Sequence, residues 1–299
     1  MNTVSTMLNA THRGLLDFVK LYPEGRPNYW KNFIGRTLNT KELYEEIATL
    51  SGFRPAIAMS DGGGVSFDTL TSPYQKKFYP TIYHLGWERT PKAQFNDPYG
   101  VIRSAKGEIA KSVYIAIEQS AASTINNATN SAYTGIDGVA LSSASHPTAS
   151  TTFSNLSTAA ALSISSLEQM YTDVLGHQAY RDYNYFPVSS FNLSVTKENI
   201  VLAQRLVQSM KQPQTANNDT NVIRGYINNV DYNPFFTSTT AYLLTPSDPS
   251  ENGLFLLEGM PLTIWEDQDI NVPSYKTLLM KEWTFGWTKP QGIQYNAGA

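Results

Sequence analysis

Asp137-Gly-Val-Ala-Leu-Ser-Ser-Ala-Ser-His-Pro147, followed a few residues later by Thr151-Thr-Phe-Ser-Asn155, is the stretch that decides how this chain is read. It holds an aspartate, several serines and a histidine, the residue types of nucleophilic catalysis. The arrangement does not supply that chemistry. No Gly-x-Ser-x-Gly elbow presents a serine on a strained turn, and no His-Glu-x-x-His presents paired metal ligands. His146 stands directly before Pro147, which favours extended backbone, so it reads as a structural turn residue. His12, His84 and His177 are the other histidines, and no spacing pairs them with a base or nucleophile.

Upstream lies the strongest helical pattern. Asn96-Asp97-Pro98 opens it, with Asp97 as N-cap and Pro98 at the first helical position. Ile102, Ala105, Ile109, Val113, Ala116, Ile117, Ala121 and Ile125 recur at helical spacing. They predict one helix of about eight turns, ending near Asn127, within a segment 96–135.

Before the helix, Asp61-Gly-Gly-Gly64 reads as a flexible hinge. It leads into Val65–Leu70, a turn at Ser72-Pro73, and an alternating run Lys76–Glu88. Tyr79, Thr81, Tyr83, Leu85 and Trp87 share one face of that run. The pattern predicts an extended β-hairpin loop over 61–95. An isolated two-stranded hairpin is marginal in water, so this one needs a partner surface. Thr40–Leu50 predicts a short helix capped by Thr40, with Leu43, Tyr44, Ile47 and Leu50 on one face and Gly52 as its stop. Leu15–Leu21 predicts another, broken by Pro23, Gly25 and Pro27. Tyr29, Trp30 and Phe33 then read as aromatic anchors of an N-terminal arm, within 1–60, that packs outside its own core.

Downstream, Ser165-Ser-Leu-Glu168 reads as a capping box for a helix to about Gln178, with Leu167, Met170, Tyr171, Val174 and Leu175 inward. Phe191, Leu193 and Val195 alternate as a strand. Thr196 reads as the cap of a helix carrying Ile200, Ala203, Leu206, Val207 and Met210. A polar loop from Gln212 to Asn221 separates it from β-type runs at Val222–Val230, Thr240–Leu244, Leu254–Leu257, Leu262–Trp265 and Lys276–Trp287. Helices and strands without βαβ rhythm predict an α+β fold.

Composition points the same way as the hairpin. Charged residues are 16% of the 299, against a usual figure of roughly 25%, while aromatics are 12%. Interface cores are depleted in charge and enriched in aromatics, so the chain reads as one whose surface neighbours cover. A net charge of −3 argues against a dedicated nucleic-acid binder. There is no cysteine, hence no disulfide or thiolate site. Met1–Lys20 has no apolar h-region and no apolar run approaches a membrane span. The expectation is a protein of a cytosol-like compartment, without cofactor or membrane.

Taken in order, these pieces resemble the Hong Kong 97-type fold of major capsid (major head) proteins from tailed double-stranded DNA bacteriophages, and the Mu-like head subunit branch in particular. The likeness runs from about Leu15 to Gln291. It rests on the hairpin entering the helix at Asn96-Asp97, and on Asp137-Gly…His146-Pro147…Phe153-Ser-Asn155. It rests also on Phe186-Pro187…Leu193…Val195 before the helix ending near Ser209, and on Leu254…Pro261…Trp265 with Lys281-Glu-Trp-Thr-Phe-Gly286. The resemblance implies a peripheral spine helix, an axial domain over about 136–252, and return strands over 253–299. It implies a structural protein that is no enzyme and that self-assembles into pentamers and hexamers. These would tile an icosahedral head around the genome, in the virion, after assembly in the host bacterial cytoplasm. Portal, scaffolding and decoration proteins are the further partners it implies, with DNA enclosed without sequence-specific contact. Tyr29, Trp30, Phe67, Lys76, Lys77, Tyr79, Tyr83 and Trp87 are then the candidate inter-subunit contacts. Some members of the fold crosslink subunits through a Lys–Asn isopeptide bond. Lys76 and Lys77 lie in the hairpin, but nothing selects a partner asparagine.

Other readings are weaker. Gly62–Gly64 lacks the Lys-Ser/Thr of a phosphate loop. Asp267-Gln-Asp269-Ile-Asn271 begins like a calcium loop but has Val272 at its sixth position and Leu278 at its twelfth. A carbohydrate-binding β module would suit the Tyr, Trp, Asn and Thr content but has no need of the long helix. An encapsulin-like compartment would share the fold and differ in cargo.

Overall fold

The computed structural model describes residues 28–96, 101–183, 190–213, 219–269 and 273–299. Strands β1 (Arg36–Asn39), β2 (Glu45–Ala48), β3 (Gln75–Phe78) and β4 (Thr81–Arg89) precede a short helix α1 (Pro91–Phe95) and a long helix α2 (Val101–Asn126). Two-residue strands β5 (His146–Pro147) and β6 (Thr152–Phe153) lead to helix α3 (Ile164–Leu175), strand β7 (Phe191–Val195) and helix α4 (Ile200–Gln208). The rest is β-structure: β8 (Ile227–Tyr232), β9 (Tyr242–Pro246), β10 (Leu254–Glu258), β11 (Thr263–Asp269), β12 (Ser274–Trp287) and β13 (Gln294–Asn296).

One sheet is built on the 14-residue strand β12. Its C-terminal end pairs with β10, which pairs in parallel with β1, while its N-terminal part pairs with both β11 and β4. Helix α2 lies across this sheet. Ile109 meets Ile264 and Leu279 near one end, and Ala121 and Ile125 meet Trp283, Trp287, Phe33 and Leu254 near the other. The second sheet, β13-β9-β7-β8, packs against α3 and α4 through Leu167, Met170, Phe191, Leu193, Ala203 and Leu206. Strand β9 joins the two cores. Successive side chains of a strand point to opposite faces, so Ala241 and Leu243 enter the first core while Tyr242 and Leu244 enter the second. The α+β architecture is therefore as the sequence predicts, and so is the long helix.

Several local expectations are corrected. Thr40–Leu50 is not a helix. Glu45–Ala48 pairs antiparallel with Gln75–Phe78, and the ladder continues through Thr49 N–H to Tyr74 O (2.9 Å) and Ser51 N–H to Thr71 O (2.8 Å). Ile47 tucks against Phe78, Phe255 and Leu257, while Leu43 and Leu50 face solvent. Ladder and core contact together outweigh the weak helical preference of a short segment. Thr40 accepts the Glu42 N–H in a local turn instead of capping a helix.

The expected hairpin is also reorganised. Lys76–Glu88 splits at Tyr79-Pro80: β3 pairs with β2 and β4 joins the main sheet. Val65–Leu70 is not a strand, and the excursion that leaves the body runs from about 49 to 74. The glycine triplet sits at its far turn, where Gly62 has φ +75° and Gly63 N–H reaches Ser60 O, and so is no hinge at its root. The spacing missed this because pairing partners for β3 and β4 are distant in sequence.

Helix α3 begins two residues earlier than the Ser165 box implied, with Ser163 and Ser166 capping each other reciprocally. Thr196 donates to Thr239 O (2.9 Å) and caps nothing, so α4 starts after Asn199 and leaves Met210 outside it, exposed. Phe33 is 1% exposed within the first core, which corrects its reading as an arm residue packed elsewhere. The Leu15–Leu21 helix, the Asp97-Pro98 cap, Phe186-Pro187, part of the 212–221 loop and part of the Asp267–Asn271 run lie outside the described residues.

Candidate functional site

The Asp137–Asn155 segment forms a buried hydrogen-bond knot. Asn155 Oδ1 accepts the Ser143 N–H (2.8 Å), and its Nδ2 donates to Leu141 O (2.8 Å). With that amide orientation fixed, His146 Nε2–H donates to Asn155 Oδ1 (3.0 Å), while Nδ1 faces Asp137 Oδ2 at 2.7 Å. Phe153 stacks on the imidazole with centroids 5.2 Å apart. His146 is fully buried, and the nearby Ser142 hydroxyl bonds the Asn155 backbone carbonyl at 3.5 Å, away from the ring. The group ties β5 and β6 to Asp137 and the Leu141–Ser143 backbone and offers no open nucleophile.

His177 is likewise structural. Its Nδ1 accepts the Gly292 N–H (3.1 Å) and its Nε2–H donates to Gln294 Oε1 (2.8 Å), which fixes a neutral ring. Burial pushes its pKa down to about 4. Glu118 on α2 is the opposite case. It is buried, accepts the Trp30 N–H at 3.1 Å, and burial raises its pKa to about 7. These two groups predict opposing pH slopes. His177, depressed from 6.5 to about 4, contributes stability that is lost as pH falls through that window. Glu118, raised from 4.5 to about 7, contributes stability that is lost as pH rises through its own. Between about pH 4.5 and 6.5 the slopes offset, and above that Glu118 acts alone. Thermal midpoints of Glu118→Gln should therefore stop falling between pH 6.5 and 7.5 and exceed wild type at pH 8. A midpoint that still falls there in the variant contradicts this assignment.

Among the described residues no group of three or more His, Asp, Glu or Cys could hold a metal ion, and no helix is long and apolar enough to cross a membrane. What the surface offers instead is apolar area. Leu43, Leu50, Phe53, Ile57, Met59, Val65, Phe67, Leu70 and Tyr79 are all exposed, Phe67 to 90%. They fall on one short stretch of chain, the excursion 49–74 and its base. Scattered surface hydrophobics are ordinary, whereas a concentration of this kind marks an interaction surface.

The eight contact candidates divide on this geometry. Phe67 and Tyr79 lie on the exposed apolar stretch. Lys77 is at the surface beside them, 4.5 Å over the Tyr44 ring and 4.0 Å from Glu46. The Tyr44 contact holds its ammonium above the usual lysine range. The others are engaged within their own subunit. Tyr29 OH meets Tyr232 OH at 3.2 Å, and the Trp30 ring lies edge-on to Phe285 at 6.2 Å. Tyr83 stacks on Trp283 at 3.9 Å, and Trp87 packs against the Ile109–Ile264–Leu279 cluster with Arg89 over its ring at 4.8 Å. Lys76 donates to Thr134 (Oγ1 at 3.2 Å), and desolvation lowers its pKa. Phe53, Ile57, Met59, Val65 and Leu70 are not among the eight candidates, although Val65 and Leu70 lie in the run expected to form the first strand of the hairpin.

A spine helix laid over a return-strand sheet, a second compact sheet domain and an exposed apolar excursion define a Hong Kong 97-like shell-forming fold. A protein-family model described as phage capsid protein matches residues 83–296. The chain belongs to the phage capsid protein family and is a structural major capsid subunit, a component of the virion that assembles into a shell. A search of curated proteins gives no match. Among solved structures it is similar to the capsid of the cyanophage P-SCSP1u, with 10% identity, a TM-score of 0.56, and coverage of 88% of this chain and 85% of that one. It is similar to the mature capsid of bacteriophage PhiM1, with 11% identity, a TM-score of 0.54, and coverage of 89% and 86%. It is also similar to the SrpI encapsulin complex from Synechococcus elongatus PCC 7942, with 10% identity, a TM-score of 0.54, and coverage of 91% and 88%. At these identities the structures speak for the fold.

Proposed function

We propose that copies of this chain form rings of five and six that close into an icosahedral head around double-stranded DNA, assembling in the host bacterial cytoplasm. The observation that carries this reading is the apolar excursion over 49–74, whose Leu50, Phe53, Ile57, Met59, Val65, Phe67 and Leu70 side chains are exposed on the subunit. It lies on a neighbouring copy, where obligate contacts of about 2,000–5,000 Å² offset the ordering entropy of the loop. Phe67, Tyr79 and Lys77 belong to that contact. We assign β1, β4, α2 and β10–β12 to the peripheral domain and the α3, α4, β7–β9 unit to the axial domain. A portal, and scaffolding or decoration proteins, complete the particle. A net charge of −3 suits a container that does not grip the phosphate backbone.

The likeness to SrpI supports a second reading, a compartment filled with protein. Sedimentation of particles from infected cells followed by nuclease treatment separates the two. The head reading expects fast-sedimenting shells holding nuclease-protected DNA. Shells that hold only a protein cargo would favour the compartment.

A further inference from the structure

We propose that Arg181 is a positioning residue for the apolar excursion: a latch that sets the angle at which the loop leaves its own subunit and so its docking on the next copy. The inference rests on the reading of the loop as an assembly element.

The latch has a fixed side. The turn at residues 180–183 is held by Ala149 N–H to Tyr180 O (2.7 Å) and Ala179 N–H to Tyr183 O (2.9 Å). Asp182 sits at φ 60°, a left-handed conformation that side-chain-bearing residues avoid. Its carboxylate accepts the hydroxyls of Thr148, Ser150 (2.7 Å) and Thr151 (3.1 Å). Strained backbone persists where the surroundings over-determine it, and three hydroxyls from one turn do so here.

The moving side is the loop root. Arg181 Nη1 donates to Asp68 Oδ1 (3.2 Å) and Nη2 to Thr69 O (2.7 Å). Asp68 in turn ties the two limbs together, because its Oδ2 accepts the Arg54 N–H at 2.9 Å. One guanidinium therefore holds both limbs. Tyr180 packs edge-on against Tyr74 at 5.6 Å on the same side. Gly52 has φ +71°, and a Cβ there would approach the Tyr183 hydroxyl to 2.9 Å, so the root lies close on the turn.

Magnitudes separate positioning from stability. The pair is partly solvated, with side chains 25% and 20% exposed, and such pairs add little to folding. Geometry is less forgiving. Eight residues from Arg54 to the glycine turn reach about 25 Å at about 3.3 Å each, so a tilt of about 20° at the root moves the tip by about 9 Å. That displacement is enough to miss an apolar contact.

The test uses the full chain with Arg181→Ala, Arg181→Lys and Asp68→Asn. Dispersed subunits are subjected to limited chymotrypsin cleavage, which reads Phe53 and Phe67, and assembled particles are quantified separately. The expected result is loop cleavage faster by about fivefold or more in Arg181→Ala and Asp68→Asn, thermal midpoints within about 2 °C of wild type, and particle yield down at least about tenfold. Arg181→Lys should recover part of the yield. Unchanged cleavage in Arg181→Ala and Asp68→Asn would overturn the latch whether or not particles form. Faster cleavage with normal yield would overturn its role in assembly. A wild type that never forms particles would sink the shell reading instead, and the cleavage readout would still report on the latch.

Discussion

Replacing Phe53–Leu70 by a short Gly-Ser linker is expected to abolish particles while leaving a folded subunit. The ends to be joined are already adjacent, because Ser51 N–H bonds Thr71 O at 2.8 Å. The removed segment carries exposed Phe53, Ile57, Met59, Val65, Phe67 and Leu70 and contributes no strand to either sheet. Folding stability should thus change little. Assembly should fail outright, because the subunit loses the largest concentration of apolar surface that copies can bury against each other at about 25 cal/mol per Å². Circular dichroism and thermal melting read the fold, and sedimentation velocity reads assembly. Normal particles from this variant would refute the role given to the loop. The deletion must stop before Thr81, since Thr81–Arg89 is hydrogen-bonded to Trp283–Tyr275 along β12. Removing Val65–Glu88, the cut suggested by the hairpin as read from sequence, would unfold the main sheet.

The second large effect is expected at Arg89. Its guanidinium lies 3.6 Å from Glu266 with both side chains 6% exposed, donates to Thr277 Oγ1 at 2.9 Å, and rests over Trp87 and Tyr275. Arg89→Met leaves Glu266 buried without its counter-charge, and breaking such a pair costs about 3–5 kcal/mol. At about 2–4 °C per kcal/mol for a chain of this size, the thermal midpoint should fall by about 6–20 °C. The double variant Arg89→Met/Glu266→Gln should regain a good part of the loss, because the uncompensated charge is gone. A fall of under about 1 kcal/mol in Arg89→Met, or no recovery in the double variant, would show that the ion pair is not what holds this end of the sheet.

The long-range order of elements was legible in the chain because it is written in short-range signals. Ile109, Val113, Ala121 and Ile125 recur at the period of a helix and do bury on one side. Phe191, Leu193 and Val195 are a strand, as their alternation says. What could not be read was pairing. Nothing local tells Glu45–Ala48 that Gln75–Phe78 will be its neighbour, so Leu43, Tyr44, Ile47 and Leu50 looked like a helical face. For the same reason the glycine triplet looked like a hinge when it is the far turn. Tyr29, Trp30, Tyr83 and Trp87 also make contacts inside their own subunit, with Tyr232, Phe285, Trp283 and the Ile109 cluster, and Tyr83 keeps 38% exposure. Residue type announces burial but does not say whose core is filled. The segment Asp137–Asn155 was legible as structural because its histidine precedes a proline and lacks a nucleophile. Its actual work, a buried Asp–His–Asn knot, depends on Asn155 folding back onto Leu141 and Ser143. The Mu-like branch is a narrower statement than the family match.

Electron microscopy of the purified, concentrated protein should show closed particles built of five- and six-membered rings, with density for residues 49–74 of each subunit lying on its neighbour. A uniform population of monomers, with that loop folded back over its own sheets, would contradict the shell reading.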